Sequence, residues 1–216
     1  MTQTTATRPR SRTPLVLIVL LSMAPVLAAL LVYFNPDWRP EGSVAYGTLI
    51  EPQRPIPPST ALQATTLDGK PFDVATLKGK WLLIAADGGD CQDACARKLF
   101  ILRNSHASQG KNVERLARVW FITDDAPVPE KVLEAYKGTV MLRVQPEQLK
   151  KFLLGDSTNA TNAANAAQAS SASNALAEPM WIIDPHANLI LQYPPNAEPE
   201  KVRKDITKLV YNSRIG

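Results

Sequence analysis

From Pro14 to Phe34 the chain runs for 21 residues without a charge, mostly in Leu, Val, Ile and Ala. At about 1.5 Å per helical residue this stretch spans roughly 30 Å, the hydrocarbon thickness of a bilayer. Arg8, Arg10 and Arg12 stand just before it, and no acidic residue precedes Asp37. That asymmetry keeps the N-terminus cytoplasmic and sends residues 37 onward across the membrane. Tyr33 and Trp38 fall where an aromatic belt would lie. A cleaved leader would show an apolar run of about 7 to 15 residues ending in an Ala-x-Ala-like site. This run is longer and ends in Leu-Val-Tyr-Phe. Pro25 would only kink the helix, which a bilayer tolerates. The expectation is a cytoplasmic tail at 1–13, a single transmembrane anchor at 14–34 in a bacterial inner membrane, and a periplasmic remainder.

Of the 24 basic residues in this chain of 216, three lie in that tail, which leaves 21 against 20 acidic ones. The remainder is nearly neutral and lacks the electrostatic footprint of a nucleic-acid binder. Two cysteines exclude a small disulfide scaffold, and 45% hydrophobic with 20% charged residues exclude a disordered chain. Residues 35–58 contain Pro36, Pro40, Pro52, Pro55, Pro57 and Pro58, which reads as a stiff, extended tether, although such a segment can also pack along a domain surface. A folded domain is expected over 59–216.

Within that domain strands and helices alternate. Residues 61–66 and 70–72 flank Asp68-Gly69 and predict a hairpin with a positive φ in its turn. Trp81 to Ala86 and Val119 to Ile122 read as strands buried on both faces. Between them a helix from about Cys91 to His106 repeats Cys95, Leu99 and Leu102 at helical spacing. Further helices are predicted near 130–136, at 146–154 with proline in the first turn, and at 198–211. Further strands are predicted at 140–144, 180–183 and 189–192, with Asp184 and Asn188 in the last turn. The pattern indicates an α/β or α+β sandwich of thioredoxin type. Residues 156–177 hold nine Ala, four Asn, four Ser and one large apolar residue, Leu176, and read as an exposed low-complexity insertion. Its Asn159-Ala160-Thr161 sequon is of a kind that arises by chance in such a composition.

The chemistry is expected at Cys91-Gln92-Asp93-Ala94-Cys95. Two cysteines four apart at a helix start fall on one helical face, with Cα atoms about 6 Å apart in a regular helix. Relaxing Cys91 into the Gly88-Gly89 loop brings them within disulfide range. Unpaired N–H groups at the helix start favour a thiolate, and so favour nucleophilic attack and binding of a soft metal such as Cu(I). Asp90 and Asp93 oppose that effect, and Arg97 and Lys98 partly offset them. A purely structural disulfide is the competing reading, although so short a bridge removes little unfolded-state entropy.

Taken together, Leu67-Asp68-Gly69-Lys70, Lys78-Gly79-Lys80-Trp81, the Cys-x-x-x-Cys, Phe121-Ile122-Thr123-Asp124 and Ile183-Asp184-Pro185 resemble the Sco/SenC family over roughly residues 60–215. These are membrane-anchored, thioredoxin-like factors of cytochrome c oxidase maturation. The resemblance implies a thioredoxin-like fold, Cys91 and Cys95 as copper-binding and redox-active thiols, and an oxidase subunit or another assembly factor as partner. It also implies a third ligand, a histidine shortly before the Ile-Asp-Pro strand. Residues 170–182 contain none; Leu176 or Pro179 stands near its place, and Ala96 replaces the proline that usually follows the second cysteine.

The two histidines do not fill that gap. His106 reads as a helix-terminal residue and His186 as an exposed turn residue, while Met180 reads as core. Two thiolates alone are expected to hold copper only weakly. Pro179 also stands where thioredoxin-like oxidoreductases carry a cis-proline facing the cysteine pair, although a proline opening an edge strand has ladder reasons of its own. Asp124 and Asp125 read as turn residues, and Lys201, Arg203, Lys204 and Lys208, mixed with Glu198, Glu200 and Asp205, as a solvated helix face. Three functions follow: a copper-site assembly factor, a thiol-disulfide oxidoreductase serving the same assembly, and a non-catalytic assembly scaffold with a structural disulfide. Within oxidase assembly, thiol chemistry at Cys91, Cys95 and Pro179 is the favoured reading.

Overall fold

The computed structural model describes residues 12–35, 45–155 and 176–215, in two separate units that divide at Ser43. The first is helix α1 (Thr13–Phe34), which continues through Pro25 and is long and apolar enough to cross a membrane by length and composition. Arg8, Arg10, Trp38 and most of the 156–177 insertion lie outside the described residues.

In the second unit an eight-stranded sheet carries all the remaining elements. In chain order they are β1 (Thr48–Pro55), β2 (Ala64–Thr66), β3 (Pro71–Phe72), β4 (Trp81–Asp87), α2 (Asp93–Ala107), β5 (Leu116–Ile122), α3 (Glu130–Ala135), β6 (Val140–Val144), α4 (Pro146–Leu154), β7 (Met180–Ile183), β8 (Asn188–Tyr193) and α5 (Pro199–Asn212). The strand order is β1-β8-β7-β4-β5-β6-β2-β3. Strands β4, β5 and β6 run parallel; the other pairings are antiparallel. Gly69, at φ +74°, makes the expected turn between β2 and β3.

Because β4 is central, its side chains are buried on both faces, which is why its sequence shows no alternation. Leu83 and Ala85 point into one core with Cys95, Leu99 and Leu102 of α2 and Val202, Ile206 and Val210 of α5. Leu82, Ile84 and Ala86 point into the other, with Leu149, Phe152 and Leu153 of α4. A register shift against β7 lets β8 place Leu191 and Tyr193 in the first core and Leu189 in the second. Leu176, expected in an exposed insertion, is instead fully buried in the second core.

The stretch read as a tether corrects the expected domain boundary. Residues 48–55 form β1, which pairs antiparallel with β8 from Thr48↔Gln192 to Pro55↔Asn188 around a bulge between Leu49 and Arg54. Edge strands and bulges accept proline, because their outward N–H groups have no ladder partner to lose. Just before β1, the backbone N–H groups of Tyr46 and Gly47 donate to Asp205 Oδ2 at 2.7 and 3.1 Å. Asp205, read as part of a solvated face, is therefore buried among Val202 and Ile206, whereas Lys201, Arg203, Lys204 and Lys208 are exposed as expected.

Candidate thiol–disulfide site

At its C-terminal end β4 runs into Asp87, Gly88, Gly89 and Asp90, and Cys91 follows. Both glycines are required. A Cβ on Gly88 would lie 2.6 Å from Asp124 Oδ2, and one on Gly89 would lie 2.3 Å from the Ala126 carbonyl oxygen. The close approach is made by Asp124 Oδ1, which accepts the N–H groups of Gly89 at 2.8 Å and Ala126 at 3.1 Å. Arg143 on β6 holds the same turn, donating to the Asp124 and Ala126 carbonyls at 2.6 and 2.9 Å. Asp124 is thus a turn residue, as read, and also a brace for the cysteine loop, which its place at the end of β5 did not reveal.

Cys91 and Cys95 form a disulfide with Cα atoms 5.0 Å apart. They do not share a helical face: α2 begins only at Asp93, and Cys91 turns into the left-handed region at φ +44°, a conformation disfavoured for a residue with a Cβ. That turn brings the two Cα atoms closer than a regular helix would. Cys91 is half-buried, whereas Cys95 is 1% exposed and packed in the core with Leu99 and Leu102. No side chain caps the start of α2, and Gln92 donates instead to Asp90 Oδ2 at 2.8 Å. The N–H groups there remain available to a developing thiolate.

Lys98 does not offset the acids from the surface. Its ammonium is buried, 2.7 Å from Asp87 Oδ2, and donates to the carbonyls of Ala86, at 2.7 Å, and Ala177. Burial pushes its pKa below the ordinary lysine value, and the Asp87 carboxylate pulls against that shift. Lys98 follows Cys95 by three residues, on the buried stripe that continues through Leu99 and Leu102. Arg97 points outward to Asn196.

Pro179 lies at the cysteine end of the sheet, since Met180 pairs with Ala85 of β4. It is buried. Its peptide bond is trans: among the described residues the cis bond is Glu51–Pro52. Both readings are therefore corrected: the bond is not cis, and β7 is not an edge strand but lies between β8 and β4; Pro179 stands just before its first residue, Met180, a place where proline is tolerated. Met180 is core, as expected.

Neither histidine approaches the sulfurs. His186 sits in the β7–β8 turn, where Ile183 pairs with Leu82 and the Gly79 N–H donates to the Pro185 carbonyl at 2.9 Å. That is the opposite end of β4, about 15 Å away at the usual strand rise. His106 ends α2, about 16 Å of helix beyond Cys95; burial first, then Arg118, lowers its pKa. Among the described residues no cluster of three His, Cys, Asp or Glu side chains could hold a metal. Neither histidine therefore supplies, beside the two sulfurs, the nitrogen ligand that the Sco/SenC resemblance implies.

Residues 81–160 and 144–213 match the family described as transmembrane-like, thioredoxin-like, C-terminal domain. No curated protein sequence matches significantly. Among solved structures, copper-bound ScoI of Arabidopsis thaliana is 17% identical with a TM-score of 0.51, over 78% of this chain and 100% of that one. Apo Sco1 of Thermus thermophilus is 15% identical with a TM-score of 0.51, over 79% and 99%. A thioredoxin-family thiol:disulfide interchange protein of Chlorobium tepidum is 15% identical with a TM-score of 0.50, over 74% and 98%. These likenesses establish the thioredoxin-like fold that the sequence predicts.

Proposed function

Because the chain belongs to the transmembrane-like, thioredoxin-like C-terminal domain family, we propose that it is a membrane-anchored thiol-disulfide exchange factor serving cytochrome c oxidase maturation. Its partner is an oxidase subunit or another assembly factor. The observation that carries the reading is the Cys91–Cys95 pair itself, one sulfur half-buried and one in the core, at the strand-to-helix junction where α/β folds place their sites. In the proposed topology α1 anchors the protein in a bacterial inner membrane with the domain in the periplasm, in keeping with the three tail arginines.

In the reduced protein the Cys91 thiolate attacks a disulfide in the partner, forming a mixed disulfide and releasing one partner thiolate. Cys95 then attacks Cys91 sulfur and releases the second. Two electrons pass to the partner, whose cysteines become free to receive metal, and Cys91–Cys95 closes. A periplasmic dithiol donor restores the starting state. The helix start favours the attacking thiolate, and burial of Cys95 reserves it for the resolving step. Copper, the cargo that the Sco/SenC resemblance implies, would meet only two thiolates here, so the proposed chemistry does not pass through it.

The scaffold reading has one observation in its favour: Asp87, Asp124 and Arg143 hold the loop by hydrogen bonds, as a permanently folded support requires. Equilibrating the full-length protein with glutathione redox buffers separates the two. Exchange predicts a potential above about −300 mV; a lower value is typical of a structural bridge and favours the scaffold.

A further inference from the structure

The carboxylate of Asp87 fastens both sides of the cysteine loop. Its Oδ1 accepts the Gly88 N–H at 2.9 Å, at the root of the segment carrying Cys91. Its Oδ2 lies 2.7 Å from the ammonium of Lys98, one turn along α2 from Cys95. The Lys98 side chain is 7% exposed and that of Asp87 19%, so the tie is shielded from water and salt on the lysine side and partly open on the other. The Cys91–Cys95 bond joins the same two sides, loop and helix. The connections therefore run in parallel, one covalent and one ionic, and reduction breaks only the first.

We infer that the Asp87–Lys98 pair is a positioning clamp that keeps the Cys91 loop against α2 in the dithiol form, so that the disulfide re-forms readily; the inference rests on the exchange reading above. The balance between dithiol and disulfide depends on the effective concentration of one thiol at the other. A loop pinned at Gly88 keeps Cys91 close to Cys95. Released at Gly88, the loop keeps the Asp124 bond at Gly89, but Gly88 and Asp90 sample more conformations, and Cys91 can leave the disfavoured left-handed region it occupies at φ +44°. Both effects draw an unclamped loop toward the open form. A second effect has the opposite sign: an isolated ammonium beside Cys95 would favour its thiolate and hence the reduced protein. Asp87 neutralises that ammonium at contact distance, so the clamp sets the sign.

The test uses full-length protein in detergent, equilibrated with reduced and oxidised glutathione. Two glutathione thiols convert the protein disulfide to a dithiol and leave as one glutathione disulfide, so electrons and protons balance. Lys98→Met keeps the length of the side chain and removes the charge, and the double variant Asp87→Asn with Lys98→Met removes the clamp without leaving a buried charge unpaired. Both are expected to raise the equilibrium constant for reduction by about tenfold, a potential about 30 mV less reducing. A constant unchanged or lowered in the double variant, even if its oxidised form melts earlier, overturns the clamp and leaves a merely structural ion pair. A wild-type disulfide that glutathione cannot reduce at all overturns the exchange reading itself, and the clamp with it.

Discussion

Among the backbone segments held by carboxylates, the start of the folded unit and the cysteine loop differ in a way that separates permanent attachment from the proposed reversible chemistry. At the start of the folded unit, Asp205 takes the N–H groups of Tyr46 and Gly47, and the Tyr46 hydroxyl accepts the Glu198 N–H at 3.1 Å. A Cβ on Gly47 would come within 2.0 Å of Leu191 Cδ2. The segment fits closely and has nothing to exchange. At the cysteine loop, Asp87 and Asp124 take the N–H groups of Gly88 and Gly89, but a breakable bond runs in parallel and Cys91 sits in left-handed backbone. The carboxylates of the first segment are its main support. In the proposed exchange, those of the second hold a loop in place while its covalent link opens.

The comparison predicts its largest effect at Asp205. Asp205→Ala leaves two N–H groups without their acceptor and should destabilise the domain by about 3 kcal/mol. Opening the disulfide with Cys91→Ser removes a short loop closure worth about 2 kcal/mol or less. Denaturant unfolding of both variants checks the order, and the glutathione equilibrium of Asp205→Ala should equal that of the wild type. A Cys91→Ser loss exceeding the Asp205→Ala loss would make the disulfide the main structural support.

A smaller effect appears at alkaline pH. Tyr193 is buried, and burial first, then the Asp205 charge, raises the pKa of its phenol. A phenol whose folded value lies above its unfolded value of about 10 contributes stability that is fully present below that pH and is lost as pH rises through the folded value. The oxidised protein should therefore weaken progressively above about pH 10, and Tyr193→Phe should flatten that decline in unfolding curves taken between about pH 9 and 11. An unchanged decline would place its origin elsewhere. Because Lys98 on the cysteine side, its pKa lowered by burial, can also lose its proton at alkaline pH, it is the difference made by Tyr193→Phe, not the decline itself, that reports on the Asp205 side.

Much of the fold was legible. The bounds of β6, α4 and β7 follow directly from apolar runs and from prolines that open helices. Three features were hidden for separate physical reasons. The prolines of β1 mask a strand whose identity depends on the edge of β8, a tertiary fact. Lys98 read as a partial offset to Asp90 and Asp93 and Asp205 as part of a solvated face, although each sits on the apolar stripe of its helix, beside Leu99 and Ile206, where a charge needs a partner. The left-handed turn at Cys91 leaves no mark in composition, because cysteine is not a residue that favours positive φ. At the site, the cysteines were found by spacing and His186 as an exposed turn residue by its place between two strands. The braces from Asp87, Asp124 and Arg143 emerge only when β4, β5 and β6 lie side by side.

The proposed exchange depends on an asymmetry between the two sulfurs, with Cys91 attacking and Cys95 resolving. It is tested most directly by purifying Cys95→Ser and Cys91→Ser variants of the full-length protein from cells after rapid acid quenching, and comparing disulfide-linked adducts on non-reducing gels. With the half-buried Cys91 as attacking thiol and the core Cys95 as resolving thiol, Cys95→Ser should accumulate mixed disulfides with a membrane partner and Cys91→Ser should accumulate few. Equal trapping by both variants, or none by either, would contradict the account.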